Sequence, residues 1–316
     1  MKISLSLLSV GMIAAAATAA DRNFENVMDY SGNGLRTQST KNMNRSTQES
    51  DGPVLLYSTG FDAYVTGAVC TDLTGATMGQ DSWWQYQTGS GNRWGIVTVT
   101  GGKALKGTWG TASSAGSYSY LYQDNAGSGY QGLTQGNNFW ATFDLTRYSN
   151  TVSTNKGQTQ MRTYDVSGTQ TSCGFIFDNY ATGTNPSIRG LSYLNTGSAA
   201  STGTYAFTLA TGSSVTQAGT HSYYTEYDNV TGLVYWGWDM GLTSETNFYF
   251  DPTANGYINA AGQPGVSEVD FLNNRNSSTT AGNMNLDNIA LYTWAPAPGA
   301  AALLGLAGLV ARRRRN

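Results

Sequence analysis

Thr204-Tyr205-Ala206-Phe207-Thr208-Leu209 reads as a β-strand, because every second residue is large and apolar while the three between are small or hydroxylated. Side chains alternate across a strand, so Tyr205, Phe207 and Leu209 take one face and Thr204, Ala206 and Thr208 the other. The same period of two returns on both sides of this stretch. Tyr118, Tyr120 and Tyr122 repeat it, Phe139, Ala141 and Phe143 repeat it again, and Trp94, Ile96-Val97 and Val99 form another β-prone segment. The joints are rich in Gly, Asn, Ser and Asp, and Gly101-Gly102, Gly127-Ser128-Gly129 and Gly157 can supply the positive φ of tight reversals. No convincing 3.6-residue period runs through Val54 to Trp294. Many short strands between turn signals predict an all-β sandwich instead of alternating helices. With no fixed-period repeat and no Pro-rich or charged linker, one continuous domain is expected over residues 53–294.

The two ends carry different signals. Lys2 gives a positive start, Ile3 to Ala17 is mostly apolar, and Ala17-Thr18-Ala19 has the small-x-small pattern that signal peptidase accepts. Residues 1–20 are therefore read as a signal peptide, too short for the roughly 20 apolar residues of a bilayer span and ended abruptly by Asp21, Arg22, Asn23 and Glu25. Residues 21–52 are read as a flexible polar leader. At the other end Pro296-Ala297-Pro298-Gly299 precedes an Ala-, Leu- and Gly-rich run, Ala300 to Ala311, and then Arg312, Arg313, Arg314 and Arg315. As a hydrophobic helix that run rises only about 18 Å against about 30 Å of hydrocarbon, and the arginines favour the cytoplasmic side. The expectation is an exported body at the cell surface or outside it, held at its C-terminus transiently or permanently.

Residues 295–316 resemble the PEP-CTERM type of sorting signal, in which a Pro-containing motif precedes a short apolar helix and an arginine cluster. Ala297 stands where the typical motif has Glu. The resemblance implies a membrane sorting protease as a partner, and release to or display on the surface of Gram-negative bacteria that make exopolysaccharide. An ordinary C-terminal transmembrane helix is the other reading.

Composition narrows the function. Charged residues make up 12% of the chain, about half the usual share for a globular protein, so solubility rests on Ser, Thr, Asn, Gln and Gly. Lys2 and the four terminal arginines are five of the seventeen basic residues, leaving twelve against twenty acidic ones. No internal basic patch remains to neutralise phosphates, which argues against nucleic acid as a partner. A single histidine, His221, and two cysteines cannot assemble the usual zinc ligand sets. Cys70 and Cys173 leave two readings open, a disulfide outside the cytoplasm or two free buried thiols. No cofactor is implied, although calcium is open: Asp124-Asn125, Asp178-Asn179, Asp228-Asn229 and Asp287-Asn288 offer hard oxygen ligands without the ordered spacing of an EF-hand. Each pair also fits an Asx turn.

Two stretches resemble the concanavalin A-like, laminin G-like jelly-roll superfamily. Gly219 to Asp239 resembles its strand, Tyr-Asp turn with Thr231-Gly232, and returning strand; Asn285-Leu286-Asp287-Asn288-Ile289-Ala290-Leu291-Tyr292 resembles its closing strand. Leu73 to Trp84 is more weakly similar to opening loops of such proteins. The resemblance implies a jelly-roll β-sandwich and leaves the ligand open.

Glu226 and Asp228 are the candidate catalytic pair, since residues two apart on a strand share a face and glycoside hydrolases use paired carboxylates. Laminarinase-like enzymes of this fold carry Glu-x-Asp-x-x-Glu, and here Thr231 stands at the third acid. The alternative makes Asp228 the opening of the Asn229-Val230-Thr231-Gly232 turn. Trp83, Trp84, Trp236 and Trp238 are candidate sugar-stacking rings. Trp236 and Trp238 share a face and pack inside or outside together; Trp83 and Trp84 diverge, so one of them is the better candidate for exposure. The expected function is a non-catalytic surface or matrix protein that binds extracellular polysaccharide or glycan. A glycoside hydrolase or lyase, and a purely structural surface protein, are the alternatives.

Overall fold

A computed structural model describes residues 28–29, 34–38, 53–74, 77–88, 93–109, 117–124, 138–147, 156–164, 171–180, 187–195, 203–211, 219–228, 232–239, 246–257, 268–275 and 282–294. Residues 1–20, read above as a signal peptide, and Pro296, Pro298 and Arg312 to Arg315 lie outside the described residues. In chain order the strands are β1 (Met28–Asp29), β2 (Leu35–Gln38), β3 (Pro53–Thr59), β4 (Gly67–Ala68), β5 (Trp84–Thr88) and β6 (Arg93–Val99). Then come β7 (Gly102–Trp109), β8 (Ser117–Asp124), β9 (Phe139–Arg147), β10 (Lys156–Tyr164), β11 (Thr171–Tyr180) and β12 (Ser187–Leu194). The last six are β13 (Gly203–Thr211), β14 (Gly219–Tyr227), β15 (Val234–Trp238), β16 (Thr246–Phe250), β17 (Glu268–Arg275) and β18 (Gly282–Trp294). Among the described residues no helix is long and apolar enough to cross a membrane.

Two sheets stack face to face in a jelly-roll-like sandwich, as the alternation predicts. One has eight strands in the order β1-β13-β12-β11-β10-β17-β8-β5; the other runs β2-β16-β15-β14-β9-β18-β7-β6-β4, with β3 also on β18. β1 joins β13 in parallel, and the neighbouring ladder of β12 with β13 is antiparallel. β18 resembles a closing strand in sequence and acts as one. Its first half pairs with β7 and its second with β3, while β9 lines its other side.

Alternate residues of each strand fill the space between the sheets. Phe143 of the ten-stranded sheet is the hub: its ring lies 5.9 Å from Phe175, 6.1 Å from Phe177 and 6.4 Å from Phe271 on the facing sheet. Tyr223 stacks on it from the neighbouring strand at 5.5 Å. Removing one such ring costs about 3–5 kcal/mol, because both the transfer energy and a cavity are at stake. Gly190 permits a close approach of the sheets: a methyl added there would sit 2.5 Å from the Trp236 ring.

Within residues 21–52 the described residues are 28–29 and 34–38. β2 adds an edge strand to the ten-stranded sheet with Leu35 packed against the core, and β1 adds an edge to the other sheet. Burying Leu35 and satisfying backbone groups offset the entropy of ordering this short strip.

Candidate functional site

The outer face of the eight-stranded sheet carries one row of side chains in cross-strand register. Trp84 on β5 pairs with Tyr122 on β8, Tyr122 with Asp270 on β17, Asp270 with Arg162 on β10, and Arg162 with Gly174 on β11. The row continues through Leu191 and Ala206. Directly opposed residues have Cβ atoms about 5 Å apart, so neighbours along this row can serve one ligand.

β10 explains why the polar groups point outward together. Met161 enters the core, while the Thr159 hydroxyl donates to Asn273 Oδ1 at 2.6 Å and the Thr163 hydroxyl donates to the Cys173 carbonyl at 2.9 Å. With these three turned inward, Gln158, Gln160, Arg162 and Tyr164 share the other face. Arg162 Nε donates to Gln160 Oε1 at 2.7 Å, Arg162 Nη1 to the Tyr164 hydroxyl at 3.4 Å, and Gln160 Nε2 to Gln158 Oε1 at 3.1 Å. Arg162 is 3% exposed and Asp270 fully buried, so the guanidinium is fixed in plane beside an acid. A buried charge needs such partners.

Apolar clusters separate from the main core flank this polar strip. On one side Tyr122 and Leu272 pack with half-buried Trp84 and Tyr86, and the Trp84 and Tyr122 rings stack at 6.3 Å and 10°. On the other side Ile176, Leu191 and Ala206 cluster together. Of these groups Trp84, Tyr86 and Gln158 are partly exposed and can meet the apolar C–H faces and hydroxyls of a ligand, while the guanidinium, Gln160 and Asp270 lie buried beneath them.

The sequence candidates divide by face. Trp84 belongs to this row, whereas Trp83 is in the core, its Nε1 donating to the Tyr64 hydroxyl at 2.8 Å. Trp236 is also fully buried, donating to the Leu191 carbonyl at 3.2 Å, and half-buried Trp238 packs between Tyr223 and Phe248. The shared face of Trp236 and Trp238 is the inner one, so only Trp84 of the four keeps a place in an outer site. Of the two readings left open for the cysteines, the structure has two free buried thiols, Cys70 and Cys173, each sulfur held by different partners. Cys70 Sγ donates to the Trp83 carbonyl at 3.1 Å, and Cys173 Sγ accepts from the Thr225 hydroxyl at 3.1 Å.

Glu226 and Asp228 lie on the outer face of the other sheet, both more than nine-tenths buried. Glu226 Oε2 accepts the Tyr224 hydroxyl at 2.6 Å and Asp228 Oδ1 accepts Asn138 Nδ2 at 3.3 Å. Burial, and then the charges of Glu226 and Asp228, push the Tyr235 phenol above its ordinary range, so both acids lie near that ring. Asp228 also closes the hairpin with its backbone, donating to the Leu233 carbonyl at 2.9 Å and accepting from Gly232 at 2.7 Å. His221 Nδ1 lies 2.7 Å from Asp239 Oδ2. Among the described residues no three His, Cys, Asp or Glu side chains group as a metal centre.

No protein-family model matches the chain, and no curated protein matches it. Several solved structures are similar in backbone. One is the carbohydrate esterase from Shiga toxin-encoding bacteriophage phi24B, with 14% identity over 77% of this chain and 100% of that chain and a TM-score of 0.41. The CBM2 module of the Lactobacillus casei BL23 phage J-1 evolved Dit has 9% identity over 76% and 95% and a TM-score of 0.43. An alginate lyase from Klebsiella pneumoniae has 10% identity over 63% and 84% and a TM-score of 0.42. All three likenesses are remote.

Proposed function

We propose that this chain is an exported, non-catalytic protein that binds polysaccharide across the outer face of its eight-stranded sheet. The observation that carries this reading is Arg162, held by Gln160 and Tyr164 in one cross-strand row with Asp270, Tyr122 and Trp84. Half-buried Trp84 and Tyr86 offer a stacking surface and Gln158 a polar group for ring hydroxyls, while buried Tyr122, Arg162, Gln160 and Asp270 hold the row in place beneath them. Export is supported by the signal-like residues 1–20. A hydrolase acting through Glu226 and Asp228 is the second reading, favoured by their position beside Tyr235.

A glycan array with the purified full chain, run beside polysaccharide-degradation assays with and without calcium, separates the two. Binding without new chain ends is expected, and turnover overturns the non-catalytic reading. Trp84→Ala and Arg162→Gln should each weaken binding by about tenfold or more, roughly 1.4 kcal/mol. Unchanged affinity in both variants places the ligand elsewhere.

A further inference from the structure

The ten-stranded sheet carries its own outer row. Tyr292 on β18 pairs with Trp140 on β9, Trp140 with Glu226 on β14, Glu226 with Tyr235 on β15, and Tyr235 with Tyr249 on β16. Five adjacent strands at about 4.8 Å spacing make a platform about 19 Å long. Rings pair at both ends: Trp140 with Tyr292 at 5.0 Å, and Tyr235 with Tyr249 at 6.1 Å. Between them sits the Glu226 carboxylate, oriented by the Tyr224 hydroxyl. Tyr292, Tyr235 and Tyr249 are partly exposed while Glu226 is only 5% exposed, so the rings form the rim and the acid is recessed.

A cavity of about 440 Å³ adjoins the Tyr292 end, lined by Thr142, Asp144, Ser222 and Asn288 among others. It extends the row with hydroxyl, carboxylate and amide groups. The platform is too long for a single sugar ring and its aromatic–acid–aromatic order suits a chain of them, the tyrosines taking C–H faces and the acid accepting hydroxyls. Glu226, Asp228 and Asp144 repel a polyanion, so the fitting occupant is an uncharged one.

We propose that this row is a second saccharide site, for a neutral linear glycan, and that one chain cross-links polysaccharide through two opposed faces. The two outer faces point away from each other across the sandwich, so they engage different strands of polymer. The proposal rests on the eight-stranded face being a glycan surface.

The test titrates the full chain with neutral hexasaccharides of β-glucan, mannan and xylan by calorimetry, and follows turbidity with the parent polymers. The expected result is two sites per chain and cross-linked polymer. Tyr235→Ala/Tyr249→Ala, and separately Tyr292→Ala, should remove one site by about tenfold in affinity and abolish cross-linking, with unchanged melting temperatures. Trp84→Ala should remove the other site. A single site lost only in Trp84→Ala overturns the second site and leaves the first reading standing. A single site lost only in the tyrosine variants overturns the assignment to the eight-stranded face along with bivalence, and no binding to any of these neutral hexasaccharides overturns the second site, the first being judged by the glycan array.

Discussion

Cys173 lies in the packed centre of the sandwich, where the Thr225 hydroxyl donates to its sulfur, and Cys70 lies beside Trp83. Burial pushes each thiol from an ordinary value near 9 up to about 12. Because the folded value is the higher one, stability held through these neutral thiols is complete below about pH 9 and declines as pH rises toward 12. Thiolates, not thiols, attack disulfide reagents. At pH 8 the native chain should therefore label far more slowly than the denatured chain, which should show two thiols; an absence of thiols in denaturant would restore the disulfide. Trp83 and Trp84 show the opposite side of the same rule. The pleat sends these neighbours apart, one under Tyr64 and one onto Tyr122.

Within β18 the register slips by one residue between Asp287 and Ala290, and Asn288 takes a left-handed φ of 48° there. Its amide donates to Asp144 at 2.7 Å while its backbone N–H donates to Asp287 Oδ1 at 2.8 Å. Burial raises the Asp287 carboxyl above its usual range; the Asn288 N–H opposes this, and the charges of Asp62 and Asp144 add to it. A raised folded value means that the protonated form favours folding, an advantage present below about pH 4 and lost as pH rises through the folded value. Asp287→Asn should accordingly raise the melting temperature at pH 7 by on the order of 1 °C, the effect being small because the group is partly exposed. The gain should vanish near pH 3, and an equal gain at both pH values would assign it to something other than ionisation. β18 was legible in advance through its resemblance to a closing strand, an Asp-Asn pair followed by alternating apolar residues. β10 was not: Gln158, Gln160, Arg162 and Tyr164 alternate cleanly, but period two says which residues share a face and not which strand stands beside them. The partnership of Arg162 with Asp270 spans more than one hundred residues of chain and depends on strand order. Trp236 and Trp238 pose the same problem, since a shared face is visible in sequence and its direction is not.

Across the molecule, alternation between glycine-rich turns was enough to foresee two stacked all-β sheets, because only stacking hides so many single-faced strands. The order of strands was hidden, since most contacts that set it are distant in sequence. The two short strands preceding β3 were not foreseen for a different reason: they lie in a polar, aperiodic stretch and gain their place from backbone pairing and the packing of Leu35, which composition does not display. β1 covers the flank of β13 and β2 covers the flank of β16, so this strip closes the same side of both sheets. Uncovered strand flanks are templates for another chain. A variant lacking residues 1–52 should self-associate in proportion to its concentration and bind amyloid dyes, where the full chain does not; a monodisperse truncated protein would refute this. Those few residues thus work as a hem, keeping the sandwich from fraying into fibres of its own kind.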